Sequence, residues 1–181
     1  MSSTASFDRA FRITIGVEGS TLDLDHFDRG NWTGGSVDVG ELRGSKYGIS
    51  AAAHPTVDIA SLTVAGAEAI YKPEYWDAAH CGDMPMRLAA LVFDAAVQSG
   101  PGMACRWLQA AVGAGVDGVV GPGTLAALDA ALAKPDGEVT VCAEFHARRM
   151  YTVSLMDVFS RDRLGISRRL CAVLARAVQN S

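Results

Sequence analysis

Glu18 ends the apolar stretch "FDRAFRITIGVE", and Asp23, Asp25 and Asp28 follow inside "GSTLDLDHFDRGNWTGG". A glutamate set beside apolar side chains is harder to ionise and can keep its proton near neutrality. A carboxylate on a polar loop stays charged. Hydrolysis of a glycosidic bond needs this kind of pair: one group protonates the leaving oxygen, and another places water or stabilises positive charge on the far side of the sugar. The polar loop also carries Trp32, an aromatic face suited to the C–H side of a sugar ring.

The element that must position Glu18 is a first helix. Ser6 is placed to cap it, the apolar spacing runs from Phe7 to Glu18, and Gly19 suits its end. Phe7, Phe11, Thr14 and Glu18 fall in one narrow sector of such a helix, so the carboxyl shares a face with two phenylalanines. From 20 to 50 the chain is rich in Gly, Asp, Asn and Ser with short alternating pieces such as "GSVDVGELRG", which predicts an irregular lobe holding a β-hairpin. Beyond "KYGIS" the pattern turns helical, with segments expected at 62–71, 73–80, 86–99, 102–112, 122–133, 138–155 and 164–178. The fold class that follows is mainly α (α+β), with a small β-hairpin lobe and a larger helical lobe. A cleft between two such lobes suits an extended polymer. The chain is expected to be one unit, with residues 6–80 carrying the glutamate helix and β-lobe and 86–178 forming the helical lobe.

Composition narrows the function. A chain of 181 residues with 49% hydrophobic and 20% charged residues can bury a core. Its net charge of −4 provides no overall attraction to nucleic acid or anionic lipid. Arg148, Arg149, Arg161, Arg163, Arg168, Arg169 and Arg176 make the C-terminal third locally basic, as on a solvated helix face. Cys81, Cys105, Cys142 and Cys171 form no CxxC pair and read as reduced, buried thiols. His26, His54, His80 and His146 have no HExxH spacing, so no metal or other cofactor is expected. A zinc amidase would need a clustered ligand set, and only His80 beside Cys81 hints at one. The first residues show no secretory leader, and no apolar run reaches the ~20 residues of a membrane span. The expectation is a monomer made in the cytoplasm, without stable membrane association, that is exported to its place of action by other means.

The segment "VEGSTLDLDHFDRGNWTGG" followed by "GSKYGIS" resembles the start of glycoside hydrolase family 108, the N-acetylmuramidases found as phage endolysins and related bacterial proteins. The later "LVFDAAVQSGPGMACRWLQAAVGAGVDGVVGPGTLAAL" resembles that family's C-terminal part, described as a predicted peptidoglycan-binding domain. The resemblance implies a lysozyme-like fold, peptidoglycan as partner, and cleavage of the β-1,4 bond between N-acetylmuramic acid and N-acetylglucosamine. By the same resemblance Glu18 stands at the catalytic glutamate, Asp28 at the aspartate before the glycine-rich turn, and Ser45 where the family has threonine. Tyr47 and Gly48 match its Tyr-Gly. The order Glu, Asp, hydroxyl also resembles the constellation of phage-type lysozymes. Ser20 and Thr21 replace the Gly-Tyr that follows the family's Glu-Gly.

Asp25, seven residues beyond Glu18, competes with Asp28 as the second carboxylate and otherwise joins Trp32 and Tyr47 as a substrate contact. Trp107, at core spacing in "CRWLQAAV", reads as packing, whereas Trp76 could also face a sugar. Asp94 interrupts "LAALVFDAAV" and reads as a buried, hydrogen-bonded anchor near Gln98 and Ser99. "VDGVVGPGT" serves equally as a wall-binding turn or as a plain turn opening a helix. Two alternatives to the muramidase stay open: a lytic transglycosylase on the same fold, and a non-catalytic wall-binding protein.

Overall fold

The computed structural model describes residues 3–15, 20–156 and 163–179. Among them run α1 (Ser3–Ile15), β1 (Ser45–Lys46), β2 (Ile49–Ser50), α2 (Val64–Tyr71), α3 (Met86–Ser99), α4 (Pro101–Val112), α5 (Pro122–Leu132), α6 (Gly137–Ser154) and α7 (Arg163–Gln179). The fold is mainly α and lysozyme-like, with one small two-stranded antiparallel sheet. The chain divides into two compact units, Met1–Thr14 with Lys72–Ser181, and Ile15–Tyr71.

In the helical unit α3 lies at the centre. Every residue from Leu88 to Ala96 is buried, and a helix apolar on all sides must be covered on all sides. Helices α4, α6 and α7 and the segment 72–83 provide that cover. Phe7 of α1 sets its ring edge-on to Trp76 at 5.6 Å and to Phe93 at 5.8 Å, an arrangement that points ring edges at ring faces. Each such buried ring contributes roughly 1.5–3 kcal/mol of transfer free energy. Gly100, at φ 82, breaks α3 from α4, and Pro101 opens α4 where its missing N–H is not needed. Trp107 is core, as its spacing implied: its ring meets Phe145 and its Nε1 donates to Thr152 Oγ1 at 3.0 Å. Trp76 is also buried and faces no solvent.

Asp94 is wholly buried in this apolar helix. Arg149 Nη2 of α6 lies 2.7 Å from Asp94 Oδ2, and Arg169 Nη2 of α7 lies 3.5 Å from Oδ1. One carboxylate thus ties three helices together. The amide oxygen of Gln98, one turn along α3, accepts from Arg169 Nη2 at 2.8 Å when the amide is oriented to satisfy both its ends. Burial, and then the positive charge of Arg149, pushes the His146 imidazole below its ordinary pKa.

In the other unit β1 pairs with β2, Ser45 opposite Ser50 and Lys46 opposite Ile49. The two-residue connection is Tyr47–Gly48, both at positive φ (54° and 75°). That is the turn whose twist matches a hairpin, and it suits Gly at the second position but strains an aromatic residue at the first. The Tyr71 hydroxyl at the end of α2 donates to the Tyr47 carbonyl at 2.8 Å and braces the strained residue. Trp32, Ile49, Ala51, Ile59, Leu62, Ala67 and Tyr71 are among the buried hydrophobic side chains of this small lobe.

Several expectations are corrected. The first helix starts at Ser3, so Ser6 lies inside it and is not its cap. Phe7, Phe11 and Thr14 are buried on one face as the spacing required, while Glu18 and Gly19 lie outside the described residues. The helix expected at 73–80 is a π-turn, Lys72–Asp77, followed by a 3-10 turn at Cys81–Asp83; Pro73 has no N–H to donate to an α-helical ladder. The hairpin expected within 20–50 is at 45–50, while in "GSVDVGELRG" Val37 and Val39 are exposed and Leu42 forms a single bridge to Trp32. Cys81, Cys105 and Cys142 are buried, whereas Cys171 is exposed; burial pushes the Cys142 thiol up to about 12.

Removing the Asp94 charge takes from the buried Arg149 guanidinium the carboxylate that lies 2.7 Å away. Asp94→Asn is expected to cost about 3–5 kcal/mol, the usual penalty for breaking a buried pair; a urea midpoint equal to the parent's would refute this. For His146 the folded pKa is depressed, so the unfolded chain takes up the proton first as pH falls below about 6.5. Its contribution is fully present above that pH and is lost on acidification. Thermal unfolding should therefore fall less between neutral and mildly acidic buffer in His146→Gln than in the parent.

Candidate functional site

The acidic loop is built from three successive aspartate turns. Asp23 Oδ1 accepts the Asp25 N–H at 2.8 Å, Asp25 Oδ1 accepts that of Phe27 at 3.0 Å, and Asp28 Oδ1 accepts that of Gly30 at 2.8 Å. Short acidic side chains fold back on their own backbone in this way, which is why they crowd an irregular segment. Asp28 is the N-cap of a 3-10 turn, Arg29–Asn31, and remains exposed. At Gly30 an added Cβ would come within 3.1 Å of Asp28 Oδ1, so the absence of a side chain makes room for the carboxylate. Asp25 and Asp28 make the same local bond, and on that ground alone neither is the better second carboxylate.

Asn31 ties both of their turns to the strand that follows. It is fully buried, and its Nδ2 donates to the Asp25 carbonyl at 3.0 Å. Its own carbonyl accepts the N–H groups of Arg43 (2.9 Å) and Gly44 (3.0 Å), and its N–H donates to the Asp28 carbonyl at 3.1 Å. The turn carrying Asp28 and the strand leading to Ser45 are thereby held by one residue. Ser45 itself pairs with Asp23 through two backbone bonds of 2.9 Å. Its side chain is half-buried. The structure thus brings Asp23, Asp25, Asp28 and Ser45 into one hydrogen-bonded frame.

Trp32 is 9% exposed. Its Nε1 donates to the His26 carbonyl at 2.8 Å, and its ring meets the His26 ring edge-on at 5.1 Å. Its described contacts pin the acidic loop from beneath. Tyr47 is half-buried, with Lys46 Nζ 5.4 Å from the centre of its ring. A groove of about 460 Å³ on this lobe is lined by Leu22, Leu24, Leu42, Arg43, Asp58, Ile59 and Ala60. Among the described residues no group of three or more His, Cys, Asp or Glu side chains could hold a metal ion, and no helix is long and apolar enough to cross a membrane.

The helical unit holds a second ordered loop, "VDGVVGPGT". Gln109, buried in α4, donates from Nε2 to Asp117 Oδ1 (2.7 Å) and the Val119 carbonyl (3.0 Å), while its Oε1 accepts from the N–H groups of Asp117 (3.1 Å) and Gly118 (2.8 Å). The hydrogen bond from Gln109, followed by that from the Val119 N–H, holds the Asp117 carboxyl below its usual range. Beside this loop a groove of about 450 Å³ is lined by residues that include Arg106, Trp107, Val116, Glu144, Arg148 and Tyr151. Asn31 and Gln109 both escaped the sequence reading. The available signal was the same for each: a carboxamide where the neighbouring residues are bound for the interior.

The chain matches no curated protein. The structure of Brucella abortus SagA is similar at a TM-score of 0.74 and 25% identity, over 97% of this chain and 95% of that one. Residues 11–100 match the family described as glycosyl hydrolase 108, a span that takes in Glu18, the aspartate turns, Asn31 and the Ser45 hairpin.

Proposed function

We propose that this protein is a peptidoglycan hydrolase, an N-acetylmuramidase that cleaves the β-1,4 bond between N-acetylmuramic acid and N-acetylglucosamine. The observation that carries the reading is the match of residues 11–100 to glycosyl hydrolase 108 over the same span in which Asn31 ties the Asp28 turn to the Ser45 strand. The match supports a glycoside hydrolase; the bond and the roles are the proposal. Glu18, one helical turn beyond the buried Thr14 in sequence, is the general acid. A general acid must keep its proton at working pH, and a glutamate among apolar side chains does so, giving that proton to the leaving oxygen. Asp28 and Ser45, on the polar lobe, hold water or stabilise the sugar cation from the other face. Asp25 and Tyr47 contact the glycan, with Trp32 as the wall behind them.

The helical unit adds a wall-binding surface. The groove beside the Gln109-held loop offers Arg106, the Arg148–Glu144 pair (3.4 Å) and the exposed Tyr151, a mixture suited to the charged peptides of peptidoglycan. The protein acts as a monomer on the cell wall, which it reaches from the cytoplasm by export machinery of the cell or phage. A lytic transglycosylase remains the second reading because one glutamate serves both reactions. Mass spectrometry of digested sacculi separates the two, since the anhydro product is lighter by one water.

Glu18→Gln keeps shape and loses the transferable proton. On purified sacculi it should retain ~1% of parent turnover or less, given the ~10²- to 10⁴-fold worth of acid–base steps. A folded Glu18→Gln protein that clears sacculi at the parent rate would sink the mechanism. Asp28→Asn is a clean second test, because an amide oxygen can still accept the Gly30 N–H while the charge is gone. Its lysis rate should drop well below that of Asp25→Asn; the reverse order would make Asp25 the second carboxylate.

A further inference from the structure

Phe27 is 83% exposed, one residue before Asp28. Single exposed apolar side chains are ordinary on protein surfaces. The way this ring is held is not. Its N–H is bonded to Asp25 Oδ1 at 3.0 Å, and the Asp28 N–H closes the same turn on the Asp25 carbonyl at 3.2 Å. Its ring lies edge-on to His26 at 5.3 Å, and His26 lies edge-on to the buried Trp32 at 5.1 Å. The Trp32 N–H returns to the His26 carbonyl, and His26 Nε2 lies 3.4 Å from Asp38 Oδ1 on the loop that follows. Phe27 is therefore the outer member of a braced row of three rings whose inner member belongs to the core of the lobe.

An aromatic ring already held in place loses little freedom when a ligand covers it. On either side of Phe27 stand the carboxylates of Asp25 and Asp28. Each commits one oxygen to a turn, and a carboxylate has a second oxygen able to accept from a hydroxyl or amide N–H. An aromatic face for the C–H side of a pyranose, with acceptors for its polar rim, is the chemistry of a sugar subsite. We infer that Phe27 is a glycan-contacting residue, receiving an N-acetylated sugar next to the bond that is cut. The inference rests on the hydrolase reading for its substrate class but not for the binding itself.

The test measures binding without turnover. In the full-length Glu18→Gln background, co-sedimentation with purified sacculi should weaken about tenfold when Phe27→Ala is added, equivalent to about 1.4 kcal/mol. Phe27→Tyr or Phe27→Trp should restore it to within about twofold, since either ring keeps the apolar face. Val64→Ala, which trims an exposed apolar residue of the same unit, should bind as the Glu18→Gln parent does. In the active protein Phe27→Ala should raise KM about tenfold and leave kcat near the parent value. Binding and KM equal to the parent's, or an equal loss in Val64→Ala, would overturn the inference. A parent protein that fails to cleave but binds sacculi in a Phe27-dependent way would refute the hydrolase reading and uphold the glycan contact.

Discussion

A lobe whose described residues hold two short strands must still find partners for its buried N–H and C=O groups, and here much of that pairing passes through Asn31. The side-chain amide closes the turn of Asp25, the backbone N–H closes that of Asp28, and the carbonyl receives two N–H groups from the strand before Ser45. Neighbouring Gly30 extends the same pairing by accepting the Ala52 N–H at 3.0 Å. No long ladder is available to do this, because a segment rich in glycine and aspartate has poor strand propensity. A buried carboxamide takes its place. The consequence is functional: the groups proposed to work on the far face of a sugar are members of one frame, and they do not move independently.

The helical unit solves its stability differently. Apolar rings and aliphatic side chains around α3 provide bulk burial, which is non-directional and would tolerate several helix arrangements. Asp94 does not tolerate them. A carboxylate in that interior is costly unless Arg149 and Arg169 reach it, so it selects the packing in which α6 and α7 flank α3 at the right height. Gln109 acts in the same way on the loop at 117–119, satisfying two backbone N–H groups and one carbonyl with a single side chain.

Both carboxamides and the buried carboxylate show one physical theme. A polar group placed among apolar ones is expensive alone and directional when satisfied. The aspartates of the acidic loop work in reverse: they remain in water and use one oxygen to hold the backbone. Charge-assisted bonds of this type are short and strong for their kind, so an exposed loop can present carboxylates and an aromatic ring in defined positions without a hydrophobic core beneath every residue. That arrangement keeps the acids in water while limiting their wandering.

The amino-acid sequence by itself determined what local forces control. Periodic apolar spacing and the prolines at 101 and 122 set α3, α4 and α5, the burial of Phe7, Phe11 and Thr14 on one face followed from their phase, and the aspartates marked the turns they make with their own backbone. The order of Glu18, Asp28 and Ser45 is legible in the sequence too, within the span 11–100 that matches glycosyl hydrolase 108. Tertiary structure alone decided which distant guanidiniums neutralise Asp94, that within the 20–50 lobe the paired strands are 45–46 and 49–50, that Trp32 turns inward while Phe27 stays out, and that Asn31 ties the turns of Asp25 and Asp28 to the strand before Ser45. These outcomes depend on partners far along the chain and on which face is covered. Such energies are non-local, and no window of neighbouring residues contains them.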